Sequence, residues 1–272
     1  MNQKTPSFPS LSGNRYLIDT HCHLDMDLYS EDLTDVIAQA VNHNVKKIVT
    51  IGVDVLSSQR AVKIAQKYEE VFAAIGVHPH DVDHLNDEDY TNLRTLYQKH
   101  QKQIVGYGEI GLDYVKMHSD PSNQRLHFAK QLDLARELHL PIIVHNREAE
   151  TDTLQILQSQ PPLSHGGIMH CFSGNCEFAK QIIDLGMMIS IPGIVTFNNA
   201  KTLHEVVRNV PLEHIIIETD GPFLSPHPYR GKRNEPVNVL FTAAKIAELK
   251  KIDIDEVAYH TTFNAMNLFN LQ

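Results

Sequence analysis

The chain has 272 residues, of which 42% are hydrophobic and 21% charged, with 13 glycines and 13 prolines. This composition is typical of a globular protein with a sizeable core, and it excludes disordered, collagen-like and disulfide-scaffold proteins. The formal net charge of −9, from 24 basic and 33 acidic residues, argues against a protein that coats nucleic acid through bulk positive charge. It does not exclude a nuclease, because a metal site can supply positive charge locally.

The first 15 residues are polar and rich in Pro and Ser, and we predict a flexible tail over residues 1–15 before a single domain over residues 16–272. This segment lacks an apolar signal core, and no apolar run approaches the roughly 18–20 residues that a membrane span needs. The three cysteines form no CxxC pair, which suits a compartment that keeps thiols reduced. We therefore predict a cytoplasmic protein with no membrane segment and no evident obligate protein partner.

Short β-branched runs alternate with amphipathic stretches along the rest of the chain. Eight runs are predicted as strands, at residues 16–21, 47–51, 71–77, 104–110, 141–145, 167–172, 187–191 and 215–219. Helices are predicted between and after them, for example at residues 33–41, 59–68, 124–138, 178–185, 239–249 and 255–268. Eight apolar strands that alternate with helices predict an α/β fold, the closed (β/α)8 TIM barrel. An open doubly wound sheet would instead need Gly-x-Gly-x-x-Gly after the first strand, where His-Cys-His stands.

Histidines and carboxylates stand at the carboxyl ends of the predicted strands. They are His21, His23, His78, Glu109, His145, His170 and Asp220. In a barrel these strand ends converge on one face, so residues distant in the sequence meet there. Each residue alone is more often a structural histidine, a helix cap or part of a solvated turn, but their joint placement is not easily accidental. The set predicts a site for one divalent ion or for a pair of them.

Several neighbouring residues have other interpretations. Asp19 lies on the same strand face as His21 and His23, and it is either an acceptor that orients an imidazole or a direct contact at the rim. Cys22 and Cys171 are either thiol nucleophiles or small buried residues. We favour the second interpretation, in which each faces away from the site because it neighbours a candidate ligand in a strand. Eight histidines in loops or helices are interpreted as surface residues: His80, His84, His100, His118, His127, His139, His227 and His260.

Seven segments, taken in order, resemble the TatD-type metal-dependent hydrolases, a family usually described as deoxyribonucleases. They are IDTHCHLD (18–25), IGVHPH (75–80), GYGEIGLDY (106–114), PIIVHNREA (141–149), HCFSG (170–174), ETDGPFLSP (218–226) and RNEPVNV (233–239). One departure is Gly221, where the family more often has Ala, and it leaves Asp220 in place. The resemblance spans nearly the whole domain and implies a TIM barrel with two metal ions.

The resemblance implies a division of the ligands between the two ions. The first ion is held by His21, His23, Glu109 and Asp220, and Glu109 bridges to a second ion held also by His145 and His170. A bridging carboxylate holds two cations about 3.5–4 Å apart, the spacing used for in-line displacement at phosphorus. The ions are expected to be Zn²⁺, Mg²⁺ or Mn²⁺.

Catalytic and substrate-binding candidates follow from this chemistry. Glu109 and Asp220 are the catalytic candidates, with Asp220 also placed to accept the proton of the attacking water. The leaving oxygen and the phosphate oxygens need positive charge and hydrogen-bond donors. The candidates for these contacts are His78, Arg147, Ser173 and Arg233.

The leading hypothesis is a two-metal phosphodiesterase that acts on DNA. The negative net charge favours a pocket that takes a single-stranded or 3′ end over a groove that wraps a duplex. The alternative is a binuclear amidohydrolase that cleaves an amide or an aminoacyl ester, with Glu109 where such barrels often use a modified lysine. A metal-binding barrel without activity is a third interpretation, which the complete ligand set disfavours.

Overall fold

The computed structural model describes residues 7–271, and within them eight parallel strands form one sheet in sequential order. The strands are Leu17–Cys22 (β1), Val45–Ile51 (β2), Val71–Ile75 (β3), Ile104–Asp113 (β4), Ile142–Arg147 (β5), Gly167–Met169 (β6), Met188–Ile191 (β7) and Ile215–Ile217 (β8). The segment after β8 returns to β1, where Asp220 N–H donates to His21 O at 2.9 Å and His23 N–H donates to Gly221 O at 2.7 Å. These bonds join the segment that follows β8 to the end of β1, and the predicted (β/α)8 barrel is confirmed.

Helices surround the sheet on its outer side. Within residues 7–271 they are Leu33–Asn42 (α1), Val55–Lys67 (α2), Asp87–Lys99 (α3), Pro121–Glu137 (α4), Glu150–Ser159 (α5), Cys176–Asp184 (α6), Lys201–Asn209 (α7), Val239–Lys250 (α8) and Ile254–Leu268 (α9). Polar side chains cap several of their first turns; for example, Asp54 accepts from Ser57 N–H at 2.6 Å at the start of α2. No helix in this part of the chain is both long and apolar enough to cross a membrane.

The apolar core has two layers. The larger layer lies between the sheet and the helices. The smaller one lines the barrel with residues such as Ile18, Val49, Ile143 and Ile216, and Phe269 from the end of α9 packs against them. Because apolar side chains fill this part of the barrel, the polar side chains gather where the strands end. The carboxyl end of the barrel is therefore not filled by the apolar core, and a polar site can form there.

Two strand ends differ from the predicted ones by three residues, whereas the others agree within two. β4 continues to Asp113, three residues beyond the predicted end, whereas β6 stops at Met169, three residues before it. Cys171 follows β6 with a φ of +45°, a left-handed conformation that lies outside the extended region of a strand. These differences place Asp113 on a strand and remove His170 and Cys171 from one.

The predicted tail lies partly outside the described residues, which begin at residue 7. The part that the structure describes contacts the barrel through Phe8 and Ser12. The ring of Phe8 lies 4.7 Å from that of His43 and 5.7 Å from that of Phe241, and Ser12 N–H donates to Asp255 at 3.0 Å. The flexibility of residues 1–15 stays a prediction, and residues 8–12 are held against α1, α8 and α9 in this structure.

One glycine on β4 is required by its close approach to β5. Gly111 has a φ of +141°, and a Cβ added there would collide with the backbone carbonyl of its β5 partner, His145. We expect Gly111→Ala to lower the free energy of unfolding by about 3 kcal/mol or more, because overpacking and an unfavourable φ add together. Gly186→Ala is the matched control, since Gly186 has a φ of +79° but nothing within 4 Å of the added Cβ. Denaturant unfolding of both metal-free variants measures the loss in free energy of unfolding. Equal losses in the two variants would contradict a collision at Gly111.

Candidate metal centre

The predicted ligands meet at the carboxyl end of the barrel. His21, Glu109 and His145 lie in the second half of their strands, and His23, His170 and Asp220 follow theirs. The structure brings together His21, His23, Glu109, His145, His170 and Asp220. His21 is fully buried. The other five line a cleft of about 580 Å³ that opens to solvent.

The carboxylate of Glu109 separates two groups of ligand atoms. On one side, its Oε2 lies 3.5 Å from His21 Nε2 and 3.9 Å from His23 Nε2. Asp220 Oδ1 belongs to the same group, at 3.7 Å from His21 Nε2 and 3.5 Å from His23 Nε2. The two imidazole Nε2 atoms are 3.3 Å apart. This group has the members that the resemblance implies for the first ion.

The other oxygen of Glu109 faces the second group. Its Oε1 lies 2.8 Å from His145 Nδ1 and 2.8 Å from His170 Nε2. His78 Nε2 is 3.5 Å from the same oxygen, so this proposed substrate contact lies beside the second group. Glu109 thus has the placement of a bridging carboxylate, with one oxygen toward each group.

The spacing of these atoms fits a divalent ion. Ligand atoms held about 2.1 Å from one ion lie roughly 3.0–3.4 Å apart in octahedral or tetrahedral geometry. The first group, with separations from 3.3 to 3.9 Å, needs only small side-chain movements to reach these values. Histidine nitrogens with carboxylate oxygens suit Zn²⁺ and related divalent ions.

Three of the four histidines have an acceptor at the ring nitrogen that faces away from the centre. His23 Nδ1 lies 3.3 Å from the backbone carbonyl at the end of β2, and His170 Nδ1 lies 3.2 Å from Glu218 Oε1. His145 Nε2 lies 3.3 Å from Asp113 Oδ2. A ring N–H donated outward selects the tautomer whose lone pair points inward. These contacts orient the imidazoles as metal ligands require.

The charge of the centre also suits a cation. Burial alone would raise the pKa of Glu109, but the positive charge of His170, with hydrogen bonds from His145 and His170, holds it well below its usual range. The pKa of Asp220 is lowered too, because the hydrogen bond from His23 and nearby histidine charges outweigh its burial. Both carboxylates are therefore ionised at neutral pH and able to hold a metal ion.

Asp19 has neither of the two roles considered for it. Its carboxylate accepts from Thr219 N–H at 2.9 Å and from the Thr219 hydroxyl at 2.5 Å, and it lies 3.4 Å from His21 N. Burial raises the pKa of Asp19 to about 8, against the opposing hydrogen bonds from Thr219. Asp19 thus joins β1 to the segment that carries Asp220 and orients backbone, not an imidazole.

Three of the four predicted substrate-binding residues lie in the cleft. His78, Arg147 and Ser173 line it, and the side chains of Arg147 and Ser173 are exposed. Burial lowers the pKa of His78 to about 4, so this imidazole is neutral at pH 7. Arg147 therefore supplies the positive charge among these three.

Arg233 is the exception, and its position corrects the expectation that it lies in the cleft. It is absent from the cleft wall that the structure describes. Its guanidinium pairs with Asp32 at 2.7 Å and with Glu235 at 2.8 Å, and it donates to Leu28 O at 2.6 Å. Two carboxylates already satisfy this cation, so it ties the segment after β8 to the start of α1.

Sequence reasoning missed four polar residues. Asp113 and Glu218 orient candidate ligands, and both lie in segments that carry the family resemblance, beside residues that were singled out. His80 lines the cleft and pairs with Asp113 Oδ2 at 2.8 Å. His127 is only 8% exposed and its Nδ1 lies 2.8 Å from Tyr90 OH. The surface interpretation is therefore wrong for His80 and His127.

The two cysteines beside the ligands behave differently. Cys22 is fully buried in the layer between sheet and helices, with its Sγ 3.7 Å from Tyr29 OH, as predicted. Cys171 lines the cleft, so the prediction that it faces away is wrong. The alternation of side chains applies only within a strand, and β6 ends two residues before Cys171.

A TIM barrel whose strand ends hold a carboxylate between two groups of histidine ligands has the architecture of the metal-dependent hydrolases. The chain belongs to the TatD family, because the family model described as TatD related DNase matches residues 18–270. It is 44% identical over 255 residues to the metal-dependent hydrolase YabD of Bacillus subtilis, a match that covers 94% of this chain and 99% of YabD. It is 37% identical over 259 residues to the metal-dependent hydrolase YcfH of Escherichia coli K12, covering 94% of this chain and 96% of YcfH.

Solved structures agree with this assignment. The TatD homologue YjjV of Escherichia coli K12 superimposes with a TM-score of 0.89 at 29% identity, covering 95% of this chain and 99% of that one. An amidohydrolase from Saccharomyces cerevisiae superimposes with a TM-score of 0.81 at 18% identity, covering 94% of this chain and 100% of that one. At that identity the likeness shows the shared fold alone. This protein is a metal-dependent hydrolase of the TatD family.

The position of Cys171 in the cleft makes its role testable. Burial raises the pKa of the Cys171 thiol well above its usual range, so it is not a thiolate at neutral pH. We expect Cys171→Ser to keep its metal and to hydrolyse substrate within a few-fold of the wild-type rate. The control is Cys22→Ser, which changes a thiol outside the cleft. Turnover and bound metal are measured together, and loss of all activity in folded, metal-loaded Cys171→Ser would restore a thiol mechanism.

Proposed function

We propose that this protein hydrolyses phosphodiester bonds of DNA with two divalent ions, acting on single-stranded or 3′-ended substrate. The observation that carries the proposal is the placement of Glu109, with one carboxylate oxygen toward each group of ligand atoms. Two cations in these positions would supply the charge that in-line displacement at phosphorus requires. The description of the matching family model as a DNase adds support.

The residues of this chain have distinct parts in that reaction. Asp220 lies at the cleft, with its carboxylate ionised, and it accepts the proton of the attacking water. Arg147 binds the phosphate oxygens by a charge-assisted hydrogen bond, and Ser173 donates to the same group. His78 is neutral and buried among these groups, so it acts as a donor or acceptor without charge.

The size and charge of the cleft support an end of a strand as substrate. Its volume of about 580 Å³ matches pockets that take small molecules or a terminal residue of a polymer. The chain carries a net charge of −9, so long-range attraction for a wrapped duplex is absent. Local positive charge from the ions, from Arg147 and from Lys116, which also lines the cleft, is then the source of affinity for DNA.

The protein is also proposed to work in the cytoplasm. All three cysteines are free thiols: Cys22, Cys171 and Cys176. Two of them, Cys22 and Cys171, are next to candidate ligands in the sequence. A compartment that keeps thiols reduced suits these cysteines. Fractionation of the native host with marker enzymes tests this location.

The proposed activity is tested on purified protein that has been stripped of metal. It is reloaded with Mg²⁺, Mn²⁺ or Zn²⁺ and incubated with single- and double-stranded DNA labelled at the 5′ or the 3′ end. We expect stepwise shortening from the 3′ end of single strands, abolished by a chelator, with two ions bound per chain. Cyclic amide and aminoacyl-ester substrates are assayed in parallel. Hydrolysis of these substrates with no cleavage of DNA under any ion would replace the proposed reaction with that of an amidohydrolase.

A further inference from the structure

Glu218 is a buried carboxylate that has only half of its hydrogen-bonding capacity satisfied. It follows β8 directly and is fully buried. Its Oε1 accepts from Cys171 N–H at 2.6 Å and lies 3.2 Å from His170 Nδ1. Its Oε2 has no hydrogen-bond partner within residues 7–271. A buried carboxylate oxygen left in this way is costly, so a donor is expected nearby.

His21 has the complementary deficiency. Its ring is fully buried, and its Nδ1 has no partner in the described part of the chain. The rings of His21 and His170 stack at 3.8 Å with only 12° between their planes. Potential ligand atoms of His21, His170 and Glu218 lie within 4.8 Å of one another. The three side chains therefore share one buried space, in which, among the described residues, His21 has an unpaired ring nitrogen and Glu218 an unpaired carboxylate oxygen.

We propose that Glu218 is a positioning residue for both metal sites, accepting from His170 Nδ1–H through Oε1 and from His21 Nδ1–H through Oε2. Both histidines turn Nε2 toward Glu109, one to each carboxylate oxygen. A proton fixed on each Nδ1 leaves the Nε2 lone pair free for an ion, and a charged acceptor makes the ring a stronger ligand. Glu218 therefore supports one ligand of each metal site on the side away from the ions, whereas Glu109 lies between the two sites.

A cation bound among these three side chains is the competing interpretation. It would need a lone pair on the Nδ1 atoms that face Glu218, and the corresponding protons would then sit on Nε2. Those Nε2 atoms face Glu109 and Asp220 in the centre, where they are needed as ligands. Hydrogen bonds from Nδ1 to Glu218 keep both histidines available, so they fit the arrangement better than a third ion does.

The chain offers a matched control in Asp113. Its Oδ2 lies 3.3 Å from His145 Nε2, and His145 belongs to the second group alone. Asp113 thus supports one ligand of one ion, whereas Glu218 supports one ligand of each ion. Replacement of either carboxylate by its amide removes a single negative charge with little change in volume.

The test measures metal affinity, which requires neither substrate nor turnover. Metal-stripped wild type, Glu218→Gln and Asp113→Asn are titrated with Zn²⁺ against a chromogenic chelator, and bound metal is counted by mass spectrometry. Loss of an orienting acceptor typically weakens binding by about 10–100-fold. We expect Asp113→Asn to weaken the binding of one of the two ions by this factor, and Glu218→Gln to weaken the binding of both.

Each contrary outcome overturns the inference. If Glu218→Gln weakens the binding of only one ion, Glu218 supports His170 alone. If the binding of both ions is unchanged, Glu218 supports neither histidine. Three ions in the wild type, with one lost in Glu218→Gln, would assign Glu218 as a ligand. The inference rests on the proposed two-ion centre but not on the DNA substrate, so wild type that binds two ions without cleaving DNA contradicts only the substrate.

A second measurement covers the case in which Glu218→Gln fails to fold. Ring ¹⁵N spectra of metal-loaded wild type, labelled in histidine, report which nitrogen of each imidazole carries the proton. We expect a slowly exchanging Nδ1–H in both His21 and His170. An unprotonated Nδ1 in His21 would overturn the proposed hydrogen bond to Glu218 without any variant.

Discussion

Glu109→Gln is expected to abolish hydrolysis while leaving the fold intact. The amide has one carbonyl oxygen and one NH₂ group, so it cannot present an oxygen to each group of ligand atoms. If two cations bind as proposed, it also withdraws a negative charge from between them, which costs several kcal/mol of charge stabilisation, or about 10³-fold or more in rate. Folding should survive, because this end of the barrel carries the site and the apolar core lies elsewhere.

The measurements for Glu109→Gln are bound metal, turnover and the thermal unfolding midpoint. The matched control is Glu148→Gln, the same change at an exposed carboxylate just after β5. It should behave as the wild type in all three measurements. Near-normal turnover with two ions bound in Glu109→Gln would contradict the bridging assignment.

Asp220→Asn should distinguish the role of Asp220 as a proton acceptor from its role as a metal ligand. Asp220 Oδ1 lies 3.5 Å from His23 Nε2, so an amide oxygen in its place would still face the group in which the first ion is proposed. The amide cannot accept a proton from the attacking water, and removal of a general base costs about 10²–10⁴-fold in rate. We expect this variant to keep most of its metal and to lose rate. His21→Ala should lose bound metal, because the alanine side chain has no atom that can bind the ion.

Bound metal and turnover are measured for both variants at saturating ion. Excess metal should leave the deficit of Asp220→Asn unchanged. Equal metal loss in the two variants, with activity restored in both by excess ion, would make Asp220 a plain ligand and leave the base unidentified.

The fold and the candidate members of the site were predictable from the sequence for a physical reason, whereas the family was predicted from the resemblance of seven segments. Parallel strands buried on both faces need continuous apolar runs, so their ends are visible in the chain. The barrel then brings all strand ends to one face, which makes the polar residue after each run a candidate without any coordinates. His21, His23 and Glu109 were recognised in this way, and they lie together in the structure.

The boundaries of short strands were less predictable, with a direct effect on the site. β6 was predicted through residue 172, and Cys171 was therefore assigned to the wrong face. In the structure Glu218, which lies 47 residues later, binds Cys171 N–H just beyond the end of β6. A local pattern cannot contain a partner so distant in the chain.

The sequence by itself determined the order of strands and helices and the candidate ligands. The strand ends follow from local periodicity and from the geometry common to every parallel barrel, and the family resemblance selects among the polar residues that stand there. Only the tertiary structure decided which carboxylate orients which histidine. Asp113 reaches both His80 and His145, Glu218 reaches His170, and Arg233 is held by Asp32 away from the cleft. Hydrogen bonds and ion pairs act over about 3 Å, so they depend on the packing that brings distant segments into contact, and a sequence pattern carries no record of it.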